Sequence, residues 1–245
     1  MAASDSVPDE LLRTQKAFLE AIGRYEAVSV YRHAGTLTSV ANVSLQAWLV
    51  WWAVRHWSNP LWEVVAVLAA IVVADFVNGV VHLVMDHATG YRSAIGPFVA
   101  NFHLHHRIPV YRRRNLFVVY FRESGSKFWL VAYLAAVAWF LPTLLAASPA
   151  SAHFFVLVGV LSSWAEVSHY MCHTTHYRFQ PWLEKIGLGL SKTHHAHHHA
   201  EDNVDYAFLN GWTDPALNAI AKLLADGYKN TTDLHDDLYE VRARS

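Results

Sequence analysis

A single cysteine, Cys172, stands among 245 residues, so no disulfide framework can form within the chain. Charge is scarce as well. Asp, Glu, Lys and Arg make up 16% of the residues, against roughly a quarter in ordinary soluble domains. The net charge of −1 excludes the strongly basic surface that nucleic-acid binding calls for. Residues 1–10 are polar and acidic, without the basic stretch, apolar run and small-residue cleavage site of a secretory signal. Membrane insertion would therefore start from an internal segment. There are no internal repeats, and no low-complexity tract beyond one run of histidines, so nothing divides the chain into several folded units.

Apolar sequence and histidine are what the chain has in plenty: 53% of the residues are hydrophobic and 17 are His. A bilayer core takes about 20 apolar residues per helix. Four stretches meet that length, at 35–54, 61–85, 128–147 and 151–172. Asp75 and Asn78 interrupt the second, and Glu166 and His169 lie towards the end of the fourth. Short connections around His56 to Pro60 and at Pro149 pair the spans into two helical hairpins. Of the 19 Lys and Arg, all but Arg55 fall on one side of this arrangement, which puts both termini and the central loop in the cytosol. A large soluble protein with buried helices would leave that asymmetry unexplained.

The sequence thus predicts an all-α, multi-pass membrane bundle of about four transmembrane helices. Residues 1–34 form a cytosolic amphipathic segment and 35–245 the membrane domain, with a cytosolic C-terminal region over 173–245. In the N-terminal segment Leu11, Phe18, Ile22 and Tyr25 recur at about helical spacing. A second amphipathic helix opens at Asp214-Pro215, a cap and first-turn pair, and carries Leu217, Ile220 and Leu224 on one face. Both segments read equally as lying on the membrane surface or as packing against the domain.

The histidines gather on the side assigned to the cytosol. His82 and Asp86 sit one helical turn apart at the end of the second span, and His169 and His173 do the same at the end of the fourth. His103, His105 and His106 occupy the central loop in FHLHHRIP. His194, His195, His197, His198 and His199 follow the last span in KTHHAHHHAED. An i, i+4 pair on a helix presents two imidazoles to one ion, and imidazole suits Fe, Zn, Cu and Ni alike. Ligand number narrows the choice, because a zinc site uses three or four ligands and this chain offers about a dozen in four groups. Two adjacent metals would use them. The histidine run taken alone could bind metal adventitiously. His33, His56, His153 and His235 read as interfacial residues. Asp75, seven residues before His82, reads either as a carboxylate holding a ligand imidazole from behind or as a polar contact between helices. Glu166 reads as a similar support for His169 or as a direct ligand. Cys172 reads as a packing residue.

ADFVNGVVHLVMDHATG, HHRIP, SHYMCH, HHAHHH and YAFLNGW resemble the motifs of the lipid desaturase family, over about Asp75 to Pro215. That family includes the plasmanylethanolamine desaturases of CarF and Kua type and the plant plastid enzyme that makes a trans double bond in phosphatidylglycerol. The resemblance implies metal ligands at His82, His105, His106, His169, His173, His194, His195, His198 and His199, with Asp86 in the same set. It leaves His103 and His197 outside the matched pattern. It also implies two irons, O2 as co-substrate, a membrane phospholipid substrate, and an electron donor such as cytochrome b5 or a ferredoxin. The membrane would be the endoplasmic reticulum in a eukaryote and the cytoplasmic membrane in a bacterium. Departures from the family pattern are Arg114 where it has a histidine, Tyr170-Met171-Cys172 within the His-x-x-x-His motif, and Glu166 where it has an asparagine. They bear on the substrate and leave the metal set intact.

Desaturation removes two hydrogens from an unactivated chain, which acid–base groups cannot do and an oxidising metal centre can. For a plasmanyl lipid the product would be a vinyl ether. The alternatives are an acyl-lipid desaturase or hydroxylase on the same site, a zinc-dependent intramembrane lipid hydrolase, and a non-enzymatic metal carrier. The hydrolase leaves most clusters unexplained, and carriers tend to place polar ligands at mid-membrane rather than at its surface.

Overall fold

Asn59 and Pro60 show how the chain starts its helices: the Asn59 side chain accepts a hydrogen bond from the Leu61 amide at 2.9 Å, and Pro60 occupies the first turn, where no amide donor is needed. In the computed structural model the described residues are 9–107, 115–123, 127–174, 177–201 and 204–224, without the side chains of 9–11, 32, 105–107 and 123. They form helices and connecting turns, with no strand among them. In chain order the helices are α1 (Asp9–Ala27), α2 (Ser29–Ala53), α3 (Pro60–Asp86), α4 (Gly96–Arg107), α5 (Leu116–Glu123), α6 (Phe128–Ala147), α7 (Pro149–His173), α8 (Gln180–Lys185), α9 (Lys192–Glu201) and α10 (Asp214–Leu224).

Among the described residues α3, α6 and α7 are long and apolar enough to cross a membrane. They cover the expected second, third and fourth spans. The expected first span falls within α2, which is as long as α7 but less apolar. Its polar residues are not spread around the helix. Thr38, Ser39, Asn42 and Gln46 are buried, while Leu37, Val40, Trp48 and Trp51 point outward. The rest of the bundle repeats that inversion, with Val64, Val65, Leu68 and Val72 of α3 and Trp139 and Phe140 of α6 exposed. A surface this apolar over a partly polar interior is stable when the surroundings are lipid and costly when they are water. The protein is an all-helical membrane protein.

Small residues let α3 and α7 approach. Ala70 and Ala74 pack in one core cluster with Val158 and Ala165, and Asn78 bonds the Ser162 hydroxyl at 2.9 Å; on another face of α7, a Cβ on Gly159 would lie 2.5 Å from a Leu134 methyl of α6. Leu49 and Ala53 of α2 pack with Leu130, Leu134 and Leu141 of α6. The N-terminal amphipathic segment packs onto the domain: Ala17, Phe18 and Ala21 of α1 form one core cluster with Tyr91, Val99 and Ala100 beside and within α4. The phase of its apolar stripe was legible in the sequence, and its partner was not.

Lys127 corrects the reading of loop charge. It counts among the cations before the third span, yet it is buried inside the bundle. Its ammonium donates to Asn78 Oδ1 and to the Ser162 carbonyl, both at 2.6 Å, and pairs with Glu166 at 3.2 Å. All three ammonium donors thus find an acceptor, which is what makes a buried cation tolerable. At the other end of the bundle His153, read as an interfacial residue, is also buried. Its ring bonds Glu63 at 2.5 Å and the Ala53 carbonyl at 2.7 Å, joining α2, α3 and α7.

Candidate metal centre

Helix α7 ends in an i, i+4 pair, His169 and His173, and α9 brings a second pair, His195 and His199, against it. The four Nε2 atoms converge. His173 Nε2 lies 3.0 Å from that of His169, 2.8 Å from that of His195 and 3.3 Å from that of His199, and His195 and His199 are 3.0 Å apart. One ring nitrogen offers a single proton or a single lone pair, so His173 cannot satisfy three such neighbours by hydrogen bonding. A shared cation accounts for the geometry. Metal–imidazole bonds of about 2.0–2.1 Å put neighbouring nitrogens about 3.0 Å apart at right angles and about 3.4 Å apart at tetrahedral angles. The observed separations, 2.8 to 3.3 Å, lie close to those values.

A second group adjoins the first. His82 Nε2 and His198 Nε2 lie 3.3 and 3.7 Å from the same oxygen, Oδ2 of Asp86, and all three side chains are buried. The far nitrogens of both rings are held by backbone carbonyls: His82 Nδ1 donates to Tyr206 at 2.7 Å and His198 Nδ1 to Val204 at 2.6 Å. These partners assign the tautomer that turns an Nε2 lone pair towards Asp86. The His82 ring is 6.4 Å from that of His169, and the rings of His195 and His198 stack at 5.8 Å, so the two groups share a wall. Phe208 closes it from one side, 5.4 Å from His82 and 5.5 Å from His169. Imidazole with one carboxylate is a donor set that fits iron, and seven protein ligands in two adjoining groups exceed the needs of one ion.

Helix α9 sorts its histidines by phase. His195, His198 and His199 face the groups just described, whereas His194 and His197 face away and carry a different chemistry. His194 Nε2 bonds Asp214 Oδ2 at 2.6 Å, and His197 Nδ1 bonds Asp205 Oδ2 at 2.6 Å. The bond to Asp214 holds the His194 imidazole above its ordinary pKa, and burial lifts the Asp214 carboxyl against the opposing pull of that histidine. Burial would also lift Asp205, but hydrogen bonds from Asn218 and His197 outweigh it and keep that carboxyl below the usual range. His194, Asp205 and Asp214 have ligand atoms within 4.8 Å of one another, a spacing that could hold an ion. The carboxylate oxygens nearest His194 are already engaged by imidazole at short range, so the hydrogen-bonded reading is the stronger.

His194, expected among the ligands, stands outside the two adjoining groups because one residue is about 100° of helix. His103 uses both ring nitrogens in its own support: Nδ1 accepts from the Tyr91 hydroxyl at 2.7 Å and Nε2 donates to the Met85 carbonyl at 2.7 Å. Burial pushes the Tyr91 phenol up, so that it stays a donor. Among the described residues Asp75 bonds no imidazole. It accepts from the amides of Asn210, Gly211 and Thr213 at 3.0, 3.2 and 2.9 Å and from the Thr213 hydroxyl at 2.7 Å. Asp214, read as a helix cap, instead serves His194 and the Ala207 amide, while the first amides of α10 turn to the Thr213 carbonyl.

Glu166 lies behind His169, with Oε2 4.0 Å from its Nδ1, and its other oxygen meets Lys127. Cys172 bonds the Leu190 carbonyl at 3.4 Å and packs in the core cluster with Leu188, Leu190 and Ala165, in neither group of converging ligand atoms. His105 and His106 lie on α4, but their side chains fall outside the described residues, as does Arg114. Lys127, Tyr91 and the 204–213 carbonyls were missed in the sequence. Only Lys127 left a signal, since a carboxylate such as Glu166 inside a span calls for a cation.

A family model for the lipid desaturase domain matches residues 71–224, and the chain belongs to that family. No curated protein and no solved structure matches it. The matched region begins in α3 before Asp75 and ends with α10, so it contains both adjoining groups. The protein is a lipid desaturase by family, and lipid is its class of substrate.

Proposed function

We propose that the protein is a di-iron, O2-dependent desaturase that introduces the vinyl ether double bond into plasmanyl phospholipids, with electrons from a carrier such as cytochrome b5 or a ferredoxin. The carrying observation is the pair of adjoining groups, His169–His173–His195–His199 and His82–Asp86–His198. His105 and His106 are proposed as further ligands. Bound iron would supply the oxidising power that no side chain has. The protein does the rest. Carbonyls of Val204 and Tyr206 hold two imidazoles in the ligating tautomer. Phe208 and Phe102 line the His82 ring and keep water from it. The bundle carries the site at one end of its apolar surface, so a lipid lying in the bilayer brings the first carbons of its chain to that layer.

Charge supports the topology: cations crowd the histidine end, which is proposed to face the cytosol with both termini, and α2 is proposed as the first of four spans. Expression in a cell that lacks its own plasmalogen desaturase tests the function. Vinyl ether lipids release a long-chain aldehyde in mild acid and ordinary alkenes do not. Folded, iron-loaded protein without such an aldehyde would sink the ether assignment; a new acyl double bond would indicate the plastid type of activity, and a hydroxylated chain a hydroxylase. Stoichiometric zinc with oxygen-independent turnover would point to a hydrolase.

A further inference from the structure

The segment 204–213 contains YAFLNGW, which no ligand role accounts for, yet it supplies the carbonyls that orient His82 and His198. It has no helix or strand of its own to hold its shape. Asp205 takes a left-handed φ of 60° and Gly211 one of 83°, so the path bends where most side chains resist. Something else must fix it. Ser168 of α7 donates to the Leu209 carbonyl at 2.9 Å, and Asn210 reaches the Gly187 carbonyl at 2.7 Å. The largest share falls to Asp75, whose two oxygens accept four bonds from residues 210–213.

We infer that this segment is a strap that positions the His82–Asp86–His198 group, and that Asp75 is its anchor; the inference rests on the metal reading above. Asp75 and His82 are two turns apart on α3, on nearly the same face. One rigid helix therefore carries both a ligand and the anchor of the strap that orients that ligand. The spacing between anchor and imidazole is set by α3 alone, and the Tyr206 carbonyl is brought to His82 Nδ1 at that spacing. A carboxylate is needed because three backbone amides and a hydroxyl all donate to it. An amide side chain has one acceptor oxygen and would set its own donors against some of them. The four-histidine group is built from α7 and α9, and the strap meets it through Phe208 against the His169 ring. The strap carbonyls that fix a ring tautomer belong to His82 and His198, so the second group depends on the strap more than the first does.

The test is titration of the purified full chain with Co2+, whose visible spectrum reports ligand number, in wild type, Asp75→Asn and Asp75→Ala. Binding to the wild type judges the metal reading on its own. In Asp75→Ala the four-histidine group should load as in wild type, and affinity at the second group should fall at least about tenfold; Asp75→Asn should show a smaller loss at the same group. Equal loading of both groups in Asp75→Ala would overturn the inference, as would loss of both in parallel, which would make Asp75 only a folding residue. Should Asp75→Ala not fold, Thr213→Val removes the hydroxyl donor alone. It should weaken the second group selectively and speed amide exchange at 210–213. Unchanged binding and exchange there would count against the strap.

Discussion

The two ends of the bundle use histidine in opposite ways. At one end His153 has a carboxylate on one ring nitrogen and a backbone carbonyl on the other. At the other end His169, His173, His195 and His199 turn nitrogen towards nitrogen. The difference gives a rule for sorting histidines. A ring with both nitrogens engaged by ordinary partners is structural, and His103 belongs with His153 by that rule although it sits inside a histidine cluster. A ring whose Nε2 meets several other imidazole nitrogens at one point, or shares one carboxylate oxygen with a second imidazole, is disposed to bind metal.

The largest test of that contrast is His173→Ala. It removes the imidazole at the centre of the first group, so product should fall below detection and the folded protein should lose the metal of that group, read by elemental analysis. His153→Ala should leave metal per folded chain unchanged, and a matching loss there would break the comparison. Next in size is Lys127→Met. It leaves Glu166 without its counter-charge in a mostly buried setting, at a cost of about 3–5 kcal/mol. Unfolding in detergent should show this, and adding Glu166→Gln should recover much of it; a double variant as unstable as the sum of the two would contradict the pairing. His153→Ala itself should cost about 2 kcal/mol by stranding Glu63, with the same measurement. Smaller again is His194→Gln, which loses the bond to Asp214 and should cost about 1–2 kcal/mol while retaining metal. His195→Gln should lose metal instead, and equal losses from the two neighbours would restore His194 to the ligand set. The exposed His33 should be silent to Ala within about 0.5 kcal/mol.

Much of the fold was legible because membrane spans are long, continuous and nearly free of charge. Helices α3, α6 and α7 sit over the stretches read as spans two to four, and α2 starts earlier than expected, at Ser29. Helix pairs of ligand type were legible for the same reason: one turn of helix is a local fact. The partners of Asp75 and Lys127 were not legible, since each has its main partners outside its own helix. Asp75 meets residues more than a hundred positions away, and Lys127 meets α3 and α7 at once.

The sequence by itself determined the class of the chain. Hydropathy sets which segments enter a bilayer, and helical spacing sets which imidazoles share a face. Family membership follows from the motifs those constraints leave behind. Tertiary structure alone decided which face of α9 points at the metal groups, since HHAHHH supplies histidines to both faces and only packing against α7 and α3 chooses between them. It also decided that Asp75 holds a strap and that Lys127 lies inside. A buried charge is stable only beside specific donors or acceptors, and those are chosen by how the helices pack.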